Sequence, residues 1–142
     1  MTVNRASARY EGFGKEGKGS ITTKSGVLDK QPYGFGTRFE GLPGTNPEEL
    51  IAAAHAACFT MALSFGLARA GYAGETLETS AAVTLDQIEG GFEISKSALT
   101  LTGKVPGISA EEFARIAKEA EMNCPVSKLL DCEISLEHSL EN

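Results

Sequence analysis

Tryptophan is absent from this 142-residue chain, histidine occurs twice and cysteine three times. An odd set of cysteines without scaffold spacing does not make a secreted disulfide framework, and a reducing compartment suits it better. No Cys-x-x-Cys or His-x-x-x-His pair occurs, so the usual spacing of a zinc site is missing, and neither metal nor organic cofactor is expected. Basic residues are in the minority: 13 Lys and Arg against 19 Asp and Glu leave a net charge of −6. They are scattered, which excludes the basic footprint that nucleic acid or an anionic membrane surface would need. No unbroken apolar run reaches the ~18 residues of a transmembrane helix. The N-terminus "MTVNRASARYEG" lacks the apolar stretch of a secretory signal, so a soluble cytoplasmic protein is expected. No Gly-x-Gly-x-x-Gly follows a strand and no P-loop occurs. Gly12, Gly14, Gly17 and Gly19 therefore read as turn residues.

What is present is 42 % hydrophobic and 23 % charged residues, in a length suited to one domain over residues 1–142. Val3 to Tyr10 and Gly19 to Lys24 read as strands around a glycine-rich turn, with room for a further extended piece before "PYGFGTRFEGLPG". N-terminal strands thus occupy residues 1–45. Asn46 or Thr45 caps a helix over 47–70, Pro47 suits its first turn, Glu48 and Glu49 favour the positive end of its dipole, and Gly71 ends it. Before Arg69 this helix has almost no charged face after its first turn, so it must be buried on all sides.

A hairpin over 75–105 follows, from the alternation of Thr76 to Ile88 and Phe92 to Val105 around Glu89-Gly90-Gly91. Ser109 or Ala110 starts an amphipathic helix with Phe113, Ile116, Ala117 and Ala120 on one face. Pro125 opens a short helix, and "CEISLEHSL" closes the chain as a strand, so the C-terminal helices and strand fill 109–140. The order is α+β, with antiparallel sheets around a long buried central helix.

Chemistry concentrates at the cysteines. Cys58 lies deep in the central helix, where a thiol is ordinarily a small core hydrophobe. Cys124 stands at the start of a helix, where N–H groups stabilise a thiolate. Cys132 has no activating neighbour and reads as packing. His55, three residues before Cys58, makes a Cys-His pair geometrically conceivable, though a histidine satisfied inside a packed interface is the plainer reading. His138 reads as a strand surface residue.

"GTRFEG" followed by "GTNPEELIAAAHAACF", and then a second cysteine in "MNCPVSKLL", resembles the osmotically inducible protein C family, OsmC, close kin of the organic hydroperoxide resistance proteins, Ohr. The resemblance implies a thiol peroxidase built as an intertwined homodimer with two sites at its interface. Cys58 would attack the peroxide and Cys124 would resolve the sulfenic acid into a disulfide. Arg38 and Glu48 would activate the first thiol. In the Ohr branch the arginine comes from earlier in the chain, where Arg5 and Arg9 stand here, whereas "TRFEG" follows the OsmC branch and favours Arg38. An organic hydroperoxide substrate and an external dithiol reductant, of the lipoyl type in the family expectation, are the implied partners. Phe59, Met61, Phe65, Tyr33 or Phe35 would wall an apolar pocket.

Helix geometry adds a step of its own. Glu48 and Cys58 are ten residues apart on one helix, hence roughly 15 Å apart along its axis and about 80° apart around it. They meet only if the helix crosses its two-fold mate antiparallel, so that Glu48 of one chain approaches Cys58 of the other. Two rival readings accompany this one. The chain could be a non-catalytic dimer that binds a small molecule or a partner, or a Cys-His acyl hydrolase using Cys58 and His55.

Overall fold

The computed structural model covers Met1–Asn142 and divides into two compact units, Met1–Leu50 and Ile51–Asn142, with the boundary inside the first turn of the long helix.

In the first unit, β1 (Ala6–Glu11), β2 (Lys18–Thr23) and β3 (Gln31–Tyr33) form an antiparallel sheet in that order, with Ala6 opposite Thr23 and Gly19 opposite Tyr33. A Cβ at position 19 would sit 2.5 Å from the Tyr33 ring and 2.6 Å from the Tyr33 carbonyl oxygen, so only glycine fits there. Tyr10 meets Tyr33 edge-on and donates to the Gly14 carbonyl at 2.8 Å across the turn. A short helix α1 (Phe35–Phe39) follows and had not been expected. Its five residues are too few to display a period, and the glycines around it read as loop. The unit's one buried residue is Glu48, and no apolar side chain in it is fully covered.

The second unit is built on α2 (Pro47–Arg69). The helix ends in a Schellman arrangement, with Gly71 at φ 91° and the Tyr72 N–H bonded to the Leu67 carbonyl. β4 (Thr76–Ile88) and β5 (Gly91–Lys104) form the expected hairpin, with one register shift at Thr84/Leu85. Ser109 caps α3 (Ala110–Asn123) by accepting from the Glu112 N–H at 3.1 Å, and α4 (Pro125–Leu129) starts from Cys124.

The last strand corrects the expected sheet. β6 (Glu133–Leu140) pairs with β5 in parallel, from Lys96 opposite Glu133 to Gly103 opposite Leu140, so the sheet β4-β5-β6 is mixed. The physical reason is the route of the chain: α3 and α4 carry it back across the sheet, so β6 re-enters at the same end as β5.

Packing also corrects the picture of a helix buried all round. Within one chain α2 buries a single stripe, His55, Phe59, Leu63 and Leu67, at four-residue spacing. The three apolar members join Leu99, Leu101 and Val105 of β5 and Phe113, Ile116, Ala117 and Ala120 of α3 in one core. The opposite face stays bare: Met61 is 64 % exposed and Phe65 59 %.

Gly103 faces this core where β5 passes beneath α3. A Cβ there would come within 2.8 Å of Phe113 Cζ and 3.2 Å of Leu77 Cδ2. Gly103→Ala is therefore expected to cost about 1–3 kcal/mol through overpacking, read as a lower urea midpoint at unchanged slope. An unmoved midpoint would contradict this packing.

Candidate active site

The first cluster lies in the first unit. Asn46 holds two segments together: its Oδ1 accepts from the Glu49 N–H at 2.8 Å as the cap of α2, and its Nδ2 donates to the Thr37 carbonyl at 3.1 Å. The fit brings Arg38 of α1 against Glu48 in the first turn of α2. Arg38 Nε donates to Glu48 Oε1 at 3.0 Å and Oε2 at 3.2 Å, and Nη2 donates to Oε1 as well. The guanidinium is thus held by both carboxylate oxygens, which fixes its plane as well as its position. Glu48 is only 8 % exposed, and a carboxylate so buried needs this cation beside it. Arg38 also stacks over the Phe39 ring at 5.4 Å. Arg5 and Arg9 are exposed, and Arg9 pairs with Glu11 at 2.8 Å.

The second cluster lies in the second unit. Cys58, half-buried on α2, packs against the core that includes Cys124, fully buried at the cap of α4, and the two thiols influence each other. Burial pushes the Cys58 thiol above its ordinary value, and its hydrogen bond to Cys124 adds to the rise, while the Val126 N–H opposes it. Burial pushes Cys124 the same way, but there the Cys58 thiol, the Ser127 backbone and hydroxyl, and the Val126 N–H together win, and Cys124 is lowered. The Ser127 N–H reaches Cys124 Sγ at 3.5 Å. Within this unit, then, the surroundings favour a thiolate at Cys124 more than at Cys58. Both thiols are free.

His55 is wholly buried and does not serve Cys58. Its Nδ1 is 2.6 Å from Ser97 Oγ on β5 and its Nε2 is 2.8 Å from Ser127 Oγ on α4. Both ring nitrogens are occupied by hydroxyls, so the plainer reading of this histidine holds and the Cys-His pair is not formed. Burial lowers the imidazole below its ordinary value, partly countered by the nearby Glu121 carboxylate. Sequence reasoning missed Ser97 and Ser127, since a lone serine carries no pattern. Cys132 is half-buried, and burial raises it despite contact with the Ser97 backbone. His138 is exposed, its ring edge-on to Phe113 at 6.0 Å.

The bare face of α2 and the strand β4 border an open groove of ≈ 750 Å³, lined by Ala57, Thr60, Met61, Ser64, Leu77 and Thr79 among others and by neither thiol. Phe59 does not wall it. It was expected at a pocket but belongs to the core, because it falls on the His55–Leu63 stripe.

The family described as OsmC-like protein matches residues 39–139. The chain is 52 % identical, over the whole of both chains, to Peroxiredoxin OsmC of Escherichia coli. It is 34 % identical to the organic hydroperoxide resistance protein OhrB of Bacillus subtilis over 78 % of this chain and 79 % of that one. The crystal structure of OhrB matches with a TM-score of 0.70 at 28 % identity, covering 99 % of this chain and 98 % of the other. An OsmC-like protein of unknown function from Vibrio cholerae matches at 0.78 over 98 % and 100 %, with 16 % identity, and so shares the fold.

The buried imidazole makes stability depend on pH. Since His55 is lowered on folding, its contribution is present above the ordinary histidine range and is lost as pH falls, because the unfolded chain takes up a proton that the folded chain refuses. Between about pH 7 and about pH 5, urea unfolding should show a decline whose His55 component is at most about 1.4 kcal/mol per pH unit, absent from His55→Gln. Identical slopes in the two proteins would contradict a neutral buried ring.

Proposed function

The chain belongs to the OsmC family and is a cysteine-based peroxidase, and from that premise we propose that it reduces organic hydroperoxides to alcohols through Cys58 and Cys124 as a homodimer. The observation that carries this reading is the contact between two free thiols, one on a long helix and one at a helix cap. The Cys58 thiolate attacks a peroxide oxygen: an S–O bond forms, the O–O bond breaks, and the departing alkoxide takes a proton to leave as alcohol. Cys124 then displaces hydroxide from the sulfenic acid, giving a disulfide and water. An external dithiol, lipoyl-type in the family expectation, exchanges with the disulfide and restores both thiols. These are the reactions of a soluble enzyme in the cytoplasm, where thiols stay reduced. The chemistry calls on no metal or organic cofactor.

Two features of the single chain support the dimer. The first unit has no buried apolar residue, and a three-stranded sheet without an apolar cover is not independently stable. The bare face of α2 and its groove are likewise too apolar to stay in water. A second copy covers both. Cys58 is raised within its own unit, so attack at neutral pH needs a cation, and the Arg38–Glu48 pair is a preformed one. In the dimer the partner's Arg38, held by the partner's Glu48, lowers Cys58 and donates to the peroxide as charge develops. Met61 and Phe65, exposed in one chain, supply apolar wall that favours an organic substrate over hydrogen peroxide.

Cys58→Ser should abolish consumption of cumene hydroperoxide in the presence of a dithiol. Cys124→Ser should reduce about one equivalent and then stall or overoxidise, and Cys132→Ser should be nearly silent. Full turnover by Cys58→Ser refutes the assignment. Sharing of the site is tested by mixing Glu48→Ala with Cys58→Ser and allowing subunits to exchange. One site of each heterodimer then holds an intact Glu48 and an intact Cys58, and activity should return toward about half of wild type per heterodimer. If mass spectrometry confirms exchange and no activity returns, Glu48 acts on its own chain or not at all.

A further inference from the structure

The peroxidase reading leaves one buried group without a task. His55 joins three elements, β5 through Ser97, α2 on which it sits, and α4 through Ser127, and the last serine also touches the resolving sulfur. The result is a line of exchangeable protons, Ser97 Oγ, His55 Nδ1 at 2.6 Å, His55 Nε2 and Ser127 Oγ at 2.8 Å, that ends beside Cys124, whose sulfur accepts from the Ser127 backbone N–H at 3.5 Å and is lowered in part by the Ser127 hydroxyl. Every member is buried. A core needs no such line for packing, since a leucine would continue the stripe of Phe59, Leu63 and Leu67 without three polar partners to satisfy.

We propose that His55, acting through the Ser127 hydroxyl, is a positioning residue for Cys124 that receives its proton when the resolving sulfur attacks. The inference rests on the peroxidase reading for its purpose but on the geometry of the second unit for its existence.

The line has two directions. With Cys124 as thiol, its S–H points to Ser127 Oγ, the Ser127 hydroxyl points to His55 Nε2, and Nδ1–H points to Ser97. With Cys124 as thiolate, the Ser127 O–H turns to the sulfur and Nε2–H donates to Ser127. On resolution the Cys124 proton passes to Ser127 Oγ while the serine's own proton passes to Nε2. The sulfur lone pair forms the S–S bond, and the S–O bond of Cys58 sulfenic acid breaks with its electrons on hydroxide. The hydroxide takes up one proton, and the imidazolium returns one, so the sum is a disulfide and water. While it is charged, the ring faces the buried Glu121 carboxylate of α3, whose field favours the imidazolium. Lys118 Nζ lies 2.7 Å from Glu121 Oε2, but not in a hydrogen-bonding direction, and that oxygen has no hydrogen-bond donor. Burial keeps the resting ring neutral, which is the state that accepts a proton.

The first test needs no peroxide. Thiolate ultraviolet absorbance of reduced Cys58→Ser is titrated with and without Ser127→Ala. Loss of the hydroxyl should move the Cys124 titration up by about one pH unit, a tenfold loss of thiolate, and Ser127→Thr, which keeps a hydroxyl, should restore it. His55→Leu should move it the same way where that variant folds. In the otherwise wild-type protein, Ser127→Ala should slow disulfide formation from the sulfenic acid about tenfold, followed by trapping with dimedone and mass spectrometry. An unmoved titration in folded Ser127→Ala overturns the proposal, whatever the peroxidase does. A shifted titration in a protein that consumes no hydroperoxide refutes the peroxidase reading instead and leaves the proton path standing.

Discussion

A helix without a polar face carries more apolar surface than this one chain covers, and the arrangement of the protein follows from which stripe is covered. One stripe of α2 is covered from within by β5 and α3, and the other is left bare along a groove. The covered stripe fixes the helix in depth and rotation, and Cys58, one residue before Phe59, is fixed with it. The thiol therefore sits at the edge of the core, half-shielded, where burial keeps it protonated unless a cation is brought to it.

The two clusters differ in chemistry. Arg38 and Glu48 form a bidentate pair in which the buried carboxylate fixes the plane of the guanidinium donor. Cys58 and Cys124 form a pair that shares protons and electrons but brings no permanent charge. In the proposed reaction each centre needs the other: a cation without a nucleophile does no redox chemistry, and a raised thiol is slow to attack. The histidine belongs with the second centre, as the one neutral base in a group of weak acids.

Legibility of the sequence followed the range of the interactions. α2, α3 and the β4–β5 hairpin were readable because caps, periodicity and a two-residue turn are local, and their bounds fell within a residue or two of the expected ones. The parallel pairing of β6 was not readable, because it depends on where two helices deliver the chain. The partners of His55 lie 42 and 72 residues away, beyond any spacing rule, which is why its burial was foreseen and its line of hydroxyls was not. Phe59 was placed with Met61 and Phe65 among the residues expected to wall an apolar pocket. A count by fours from His55 to Leu67 would have put it in the core.

The order in which the core is assembled matters for a chain made on the ribosome. Phe59, Leu63 and Leu67 emerge well before Leu99, Leu101 and Phe113, and the sheet is closed only by β6, whose strand ends at Leu140. Until β5 and α3 have emerged, the most apolar segment of the protein has neither its sheet nor its covering helix. Nascent chains arrested before α3 hold an uncovered apolar helix of 23 residues, the kind of surface that chaperones bind and that drives aggregation when synthesis outpaces folding. A fold that closes from its C-terminal end is thus committed late, and its vulnerability is greatest during translation rather than after it.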